Sequence, residues 1–393
     1  MTHLNNNEIS PVKVIYVSFS HLTDRIARDY YIDYIIEKGA TVEFWDIISL
    51  VREEHNEEGM IDSSYLRKIR TYNELEENIN LTEKGGKKVF YVMILSHGWK
   101  FNRVYKLLSK YNCRMLYVKV GGKPTYKRTI SQKLLTHLFH PITLTKILFD
   151  HFNIYVARKL KHIHPYEIFY TTGKVTTIKN NFALKMVPIN IIDFDHFKRV
   201  GLNVDRLVKE RYAVYLDTYM PHHNDHAILG RGAVKEEIYY AAMNNFFKLL
   251  EKKFDVKVII AAHPTARYKV SPFKGREIYR LLTAELVKDS EFVISDVSTS
   301  TSYAVLNQKR LIFIYTNEMI SLYKETMIKS IHAMSTYLDS PVYNISKIDK
   351  ESQVSIKDVN KTSYENYKYN FLTSPQSENT TSQEIFWREI TSM

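Results

Sequence analysis

Hydrophobic positions in this chain form short β-branched runs that alternate with stretches of helical period, and the alternation occurs in two successive series. The first series opens with an apolar run at 12–19 (VKVIYVSF), a helical pattern over 23–37 stopped by Gly39, and a second strand at 41–47. Residues 53–80 are polar and acidic, and read as helix or insert. Strands are expected at 88–95 and 113–120 around a helix at 102–110, with weaker strand patterns at 166–171 and 182–188.

The second series begins near Tyr212. Strands are expected at 213–219, 256–262, 291–295 and 311–315, and helices at 235–253, 276–288 and 300–307. Strand–helix alternation of this kind predicts α/β domains with parallel sheets covered on both faces. A polar link at 193–210 divides the chain into a first Rossmann-like domain over 1–200 and a second over 201–345. The stretch 346–381 is polar, and 382–391 (SQEIFWREIT) predicts a terminal amphipathic helix that returns to the first domain.

Composition sharpens this picture in two places. A single cysteine, Cys113, excludes an internal disulfide framework and a cysteine zinc cluster. No charged-then-apolar leader opens the sequence and no run of about 18 apolar residues spans a bilayer, so a cytoplasmic protein is expected. The net charge of +12 is unevenly spread: residues 100–190 hold seventeen Lys and Arg against two acids, Asp150 and Glu167. The same quarter of the chain is apolar over 131–166 (SQKLLTHLFHPITLTKILFDHFNIYVARKLKHIHPY). This segment is either an amphipathic helical hairpin broken near Pro141 or an interfacial segment lying on anionic lipid at the inner face of the cytoplasmic membrane. Nucleic acid is not the expected partner, because no recognition motif accompanies the charge.

Ligands of doubly wound sheets sit at the carboxyl ends of strands, so the residues following each strand are the candidate chemistry. After VKVIIAA come His263-Pro264-Thr265; after EFVIS come Asp296-Val297 and five hydroxyl residues, Ser298, Thr299, Ser300, Thr301 and Ser302. Hydroxyls at a helix start suit a phosphate, although they also serve as ordinary N-caps. In the first series, Ser96-His97-Gly98 and Gly121-Gly122-Lys123-Pro124 follow strands and could contact acceptor sugar or phosphate, or make tight turns. His222, His223, Asp225 and His226 have a spacing that permits zinc, but short loop clusters of this kind are usually unligated; no metal or cofactor is expected.

IIAAHP followed by VISDVSTSTSYAVL resembles the His-Pro and Ser/Thr motifs of bacterial sialyltransferases, polysialyltransferases and related cytidine-nucleotide transferases of surface-polysaccharide synthesis. The resemblance spans residues 212–316. It implies the GT-B fold, two Rossmann-like domains facing across a cleft, and an inverting, metal-independent glycosyltransferase. It further implies that His263, with Pro264 shaping its loop, and Ser300, Thr301 and Ser302, with Ser298 and Thr299 beside them, bind the nucleotide phosphate. The donor implied is a CMP-linked sialic, nonulosonic or Kdo-type sugar, and the acceptor a capsule, lipopolysaccharide or lipooligosaccharide glycan, free or lipid-linked. The sequence departs from these families where their paired acidic motif would stand: YLDTYMPHHND offers one strand acid, Asp217, as candidate base, with His223 second. A CDP-polyol phosphotransferase, a UDP- or GDP-sugar transferase, a UDP-sugar epimerase and a non-catalytic membrane-associated scaffold are the alternatives.

Overall fold

The computed structural model describes residues 12–51, 60–119, 122–124, 141–177, 182–201, 205–222 and 234–393. Among these residues the strands form two all-parallel sheets. The first contains β1 (Val12–Ser18), β2 (Thr41–Asp46), β3 (Leu66–Lys68), β4 (Lys88–Ile94), β5 (Met115–Lys119), β6 (Tyr166–Thr172) and β7 (Ala183–Ile189), in the order β3-β2-β1-β4-β5-β6-β7. The second contains β8 (Tyr212–Leu216), β9 (Lys257–Ala262), β10 (Ile278–Arg280), β11 (Phe292–Ser295), β12 (Arg310–Tyr315) and β13 (Val342–Asn344), in the order β10-β9-β8-β11-β12-β13. The expected α/β architecture of two doubly wound domains is present.

The runs that register in the sequence are the strands buried on both faces. Central β1, β4 and β8 are nearly continuous Val, Ile, Phe and Tyr because helices cover both sides of a parallel sheet. The edge strands β3, β10 and β13 have three residues each and escape sequence reading, since three residues are too few to show a period. For that reason the helix expected over 276–288 is instead β10 followed by a shorter helix, Thr283–Asp289, with Leu281 at a φ of 64° between them. Likewise the helix expected over 23–37 is two, Asp24–Asp29 and Ile32–Glu37, broken where Tyr31 takes a φ of 62°. Tyr31 is buried and its ring lies 5.9 Å from that of Phe386, so a tertiary contact holds a conformation that local preference disfavours.

Three clusters make up the interior. Two lie on opposite faces of the first sheet and one surrounds the second. The terminal helix Ser382–Thr391 places Ile385, Phe386 and Ile390 in a first-domain cluster, as expected. A capping box starts it: Thr381 and Glu384 each accept a hydrogen bond from the other's backbone N–H. The stretch before it is less independent than its polarity suggests, because Tyr364, Tyr367, Phe371 and Leu372 enter the second domain's core. The helix Ile192–Val200 also buries Phe194 and Val200 there, so packing changes domain just before residue 192.

The chain therefore crosses between domains twice, near 190 and near 372–382, and the crossings are tied to one another at Asn190. This buried side chain donates from Nδ2 to Asp195 Oδ1 (2.8 Å) and Thr380 O (2.8 Å), and its Oδ1 accepts from Thr373 Oγ1 (2.6 Å). Its backbone N–H donates to Ser382 Oγ (3.0 Å), and Ile191 N–H donates to Leu372 O (2.8 Å). Gly173 lies against the same return segment: a Cβ there would stand 2.5 Å from Asn370 O, and its φ of 62° also favours glycine. Asn190→Ala leaves the Thr380 carbonyl and the Asp195 carboxylate without that donor in a buried setting. Chemical denaturation is expected to show a loss of about 2–4 kcal/mol, and a loss under 0.5 kcal/mol would mean that the crossing does not depend on it.

Candidate functional site

Each sheet has one topological switch point, where successive strands depart in opposite directions and their carboxyl-end loops open a crevice. In the first sheet it lies between β1 and β4, and in the second between β8 and β11. The chemistry-bearing residues gather at these two places.

At the second switch point two carboxylates lie under the loops. Asp217, directly after β8, is 5% exposed and accepts from Tyr219 N–H (2.9 Å), Tyr268 O–H (2.7 Å) and His263 N–H (3.4 Å). Burial pushes its carboxyl above the usual range, against the pull of those donors. Asp296, directly after β11, is 1% exposed; Thr218 Oγ1 donates to its Oδ2 (2.7 Å) and Val297 N–H donates to its Oδ1. Burial raises it to about 6, and the neighbouring Asp217 adds to the rise.

Above these acids stand the donors. His263, half-buried after β9, has Nδ1 at 2.8 Å from Thr265 Oγ1 and 3.3 Å from Thr265 N. The backbone N–H can only donate, so in the neutral ring Nδ1 carries the lone pair and Nε2 the proton. The five hydroxyl residues divide. Thr301 and Ser302 turn inward: Thr301 Oγ1 meets Ser295 Oγ (2.8 Å) and Ser298 O (2.8 Å), and Ser302 Oγ donates to Asp193 and to Thr299 O (3.1 Å). Both are buried in the first turn of the helix Thr301–Leu306, where they brace the loop. Ser298 and Ser300 are half-buried and Thr299 is exposed, which leaves these three on the open side.

Lys123 reaches this loop from the first domain. Its Nζ donates to Val297 O at 2.7 Å, so the carboxyl ends of β5 and β11 meet there. Burial lowers the ammonium's pKa, while the Asp296 carboxylate opposes that shift. Lys123 belongs to the strand tip Gly121-Gly122-Lys123-Pro124 that the sequence marks out; Gly122 is exposed beside Phe371, and Gly121 lies outside the described residues.

The first switch point carries an imidazole–carboxylate pair that sequence reading missed. His21, in the loop after β1, places Nδ1 2.6 Å from Oδ2 of Asp46, the last residue of β2. Asp46 is buried, and its Oδ1 accepts from Ile48 N–H at 3.0 Å. The register pairs Ser18 with Asp46, which is how residues 25 apart in sequence meet. The usable signal was a histidine three residues beyond a strand end and an aspartate at the next strand end. Across the crevice, His97 follows β4, stacks on Tyr105 (4.7 Å between centroids) and lies 3.3 Å from Arg158 Nη2 through Nδ1. Gly98 has open space around its Cα.

Of the possible zinc residues, His222 pairs with Glu236 at 3.3 Å and stacks on Tyr219; His223, Asp225 and His226 lie outside the described residues. Among the described residues no three His, Cys, Asp or Glu side chains are placed to hold a metal ion.

No family model matches the chain, and no curated protein matches it. Among solved structures, UDP-GlcNAc 2-epimerase of Methanocaldococcus jannaschii is similar at 12% identity, over 98% of this chain and 100% of that one, with a TM-score of 0.44. A variant of the wall teichoic acid polymerase TagF is similar at 9% identity, over 97% and 89%, with a TM-score of 0.49. The calicheamicin glycosyltransferase CalG4 is similar at 9% identity, over 98% and 95%, with a TM-score of 0.44. Likeness at this level says nothing of activity, so function rests on the residues themselves.

Asp296 titrates near 6 in the folded chain against 3.8 ordinarily, so the folded state binds the extra proton between those values. The stability contributed by its neutral form is complete below pH 3.8 and is lost as pH rises through about 6. Thermal and chemical denaturation from about pH 5 to about pH 8 is expected to show wild type losing about 1.4 kcal/mol relative to Asp296→Asn. Parallel curves would show a carboxyl that titrates as in water.

Proposed function

We propose that the chain is a glycosyltransferase that takes its sugar from a nucleotide-activated donor. The donor phosphate lies at the tips of β8, β9 and β11, and the acceptor hydroxyl at the tips of β1 and β4. The observation that carries this reading is the convergence of His263, the open hydroxyls Ser298–Ser300 and Lys123 on one side of a buried acidic floor. Strands β9 and β11 flank β8, so the His263 loop and the hydroxyl loop stand about 10 Å apart, with the crevice between them.

In the reaction an acceptor oxygen bonds to the anomeric carbon as that carbon's bond to the donor phosphate oxygen breaks, and the bonding pair leaves with the phosphate. Charge grows on the leaving oxygen. The Nε2–H of His263, the three hydroxyls and the Lys123 ammonium are placed to stabilise it, which is where such groups contribute most. The acceptor proton goes to His21, whose Nδ1 is held by Asp46; the carboxylate fixes the tautomer and stabilises the imidazolium that forms. Asp217 is a positioning residue in this scheme, because its oxygens are engaged by Tyr268, Tyr219 and the His263 backbone. The motif resemblance favours a CMP-linked sialic, nonulosonic or Kdo-type sugar and a surface-glycan acceptor, with UDP- or GDP-sugars and CDP-polyols as the competing donors.

Thermal shift against CMP, CDP, UDP, GDP and dTDP tests the donor half. The preferred nucleotide at 100 times its Kd is expected to add about 2.7 kcal/mol of stability, and His263→Ala to abolish the response. Preference for UDP or GDP would replace the donor assignment, and silence toward all five would remove the transferase reading in favour of a scaffold. With the donor known, His21→Ala is expected to keep the nucleotide response and lower kcat by about 10²–10⁴-fold, flattening the acidic limb of the pH–rate profile. An unchanged profile would take the base role from His21.

A further inference from the structure

The helix Pro141–Lys159 lies within the basic quarter of the chain, and its described side chains divide between buried and exposed. Ala157 is buried, and Ile163 just beyond the helix joins it in a first-domain cluster. On the opposite side Phe149 (64% exposed), Phe152 (65%) and Tyr155 follow one another at intervals of three, a single stripe along the helix, with Leu160 exposed at its end. The sheet edge adds to this face. On β7, Val187 and Ile189 point into the cluster shared with the terminal helix, so Leu184 (71% exposed) and Met186 point to the other side. Met186 pairs in register with Phe169, which belongs to the cluster holding Ala157, so strand and helix present their apolar side chains on the same side of the sheet.

Between helix and strand lies an apolar pocket lined by Ile154, Tyr155, Arg158, Lys159 and Phe182. Its rim is cationic: Arg158 lies 4.5 Å over the Phe182 ring and Lys159 5.6 Å over the Tyr155 ring, with Lys161 exposed one turn away. Among the described residues none of these three cations pairs with a carboxylate. Exposed aromatic and aliphatic groups ringed by unneutralised cations match one occupant, the headgroup boundary of an anionic bilayer, where rings enter the interface and cations meet phosphate. No helix among the described residues is long and apolar enough to cross a membrane, so the contact is lateral.

We infer that this face, formed by Phe149, Phe152, Tyr155, Leu160, Leu184 and Met186 with Arg158, Lys159 and Lys161, docks the protein on an anionic phospholipid surface. Arg158 belongs both to this face and to the first crevice, through its contact with His97. Docking therefore brings the acceptor side of the cleft to the lipid, and under the transferase reading the acceptor is a lipid-anchored glycan.

Vesicle flotation of the full chain tests the surface. Binding to phosphatidylglycerol-containing vesicles, absence of binding to pure phosphatidylcholine, and weakening by salt are expected. The triple variant Phe149→Ser, Phe152→Ser, Tyr155→Ser is expected to lower the partition coefficient by at least about tenfold, and Lys159→Glu with Lys161→Glu by roughly tenfold. Unchanged thermal unfolding and nucleotide response in both variants keep folding and donor binding out of the result. Failure to float with anionic vesicles overturns the inference, as does equal flotation of the triple variant. So does a concentration-dependent dimer that the triple variant abolishes without any vesicle binding, since a second copy would then cover the face. Silence toward nucleotides would sink the transferase reading and leave flotation standing.

Discussion

Two half-molecules with separate cores are tied together by a polar knot at Asn190, with the terminal helix and the Lys123–Val297 contact beside it. Asn190 sits where the chain leaves the first domain, and its side chain reaches the strands of backbone on which the chain comes back. A buried amide is tolerable only when every donor and acceptor is matched, and here Thr373, Thr380, Asp195 and Ser382 match them. The terminal helix then anchors the return through Ile385, Phe386 and Ile390, each of which contributes on the order of 1.5–3 kcal/mol when fully buried.

The floor of the second crevice is an electrostatic problem that the fold solves with a cation from elsewhere. Asp217 and Asp296 end adjacent strands, and burial disfavours the charge on both. Hydroxyl, phenol and backbone donors hold them, and Lys123 arrives across the domain boundary. An anion placed directly on that floor would be repelled. Donors set above it, His263 and the open hydroxyls, reverse the sign at the level where a phosphate would lie. The first crevice differs in character, with an imidazole set against a buried carboxylate.

Charge distribution follows the same division of labour. The basic excess lies over residues 100–190, apart in sequence from the hydroxyl loop, and Lys123 of that stretch reaches Val297 in space. Cations spread along a helix and a strand edge, interleaved with exposed aromatics, suit a broad anionic surface better than a single small ligand. The contact between Arg158 and His97 joins that surface to the first crevice.

Much of this molecule is legible in its residues. The strand tips after VKVIIAA and EFVIS, the alternation that builds two parallel sheets, the terminal helix and the basic quarter all follow from local pattern, because continuous burial and helical period leave marks in a linear chain. What local pattern cannot show is which side chain a fold brings to which. Thr301 and Ser302 share composition with Ser298–Ser300, yet a helix starting at Thr301 turns the first pair inward. Asp217 at a strand end looks available until Tyr268, 51 residues away, donates to it. His21 and Asp46 become a pair only through the register of β1 on β2, and Lys123 reaches Val297 only after the domains meet. The three-residue edge strands, the break at Tyr31 and the shared face of helix and β7 arise likewise from partners distant in sequence. Sequence alone determined the long central elements and the chemistry available at their ends; tertiary structure decided the short edge strands, the helix breaks and which of those groups remain open, since these depend on non-local contacts no period encodes.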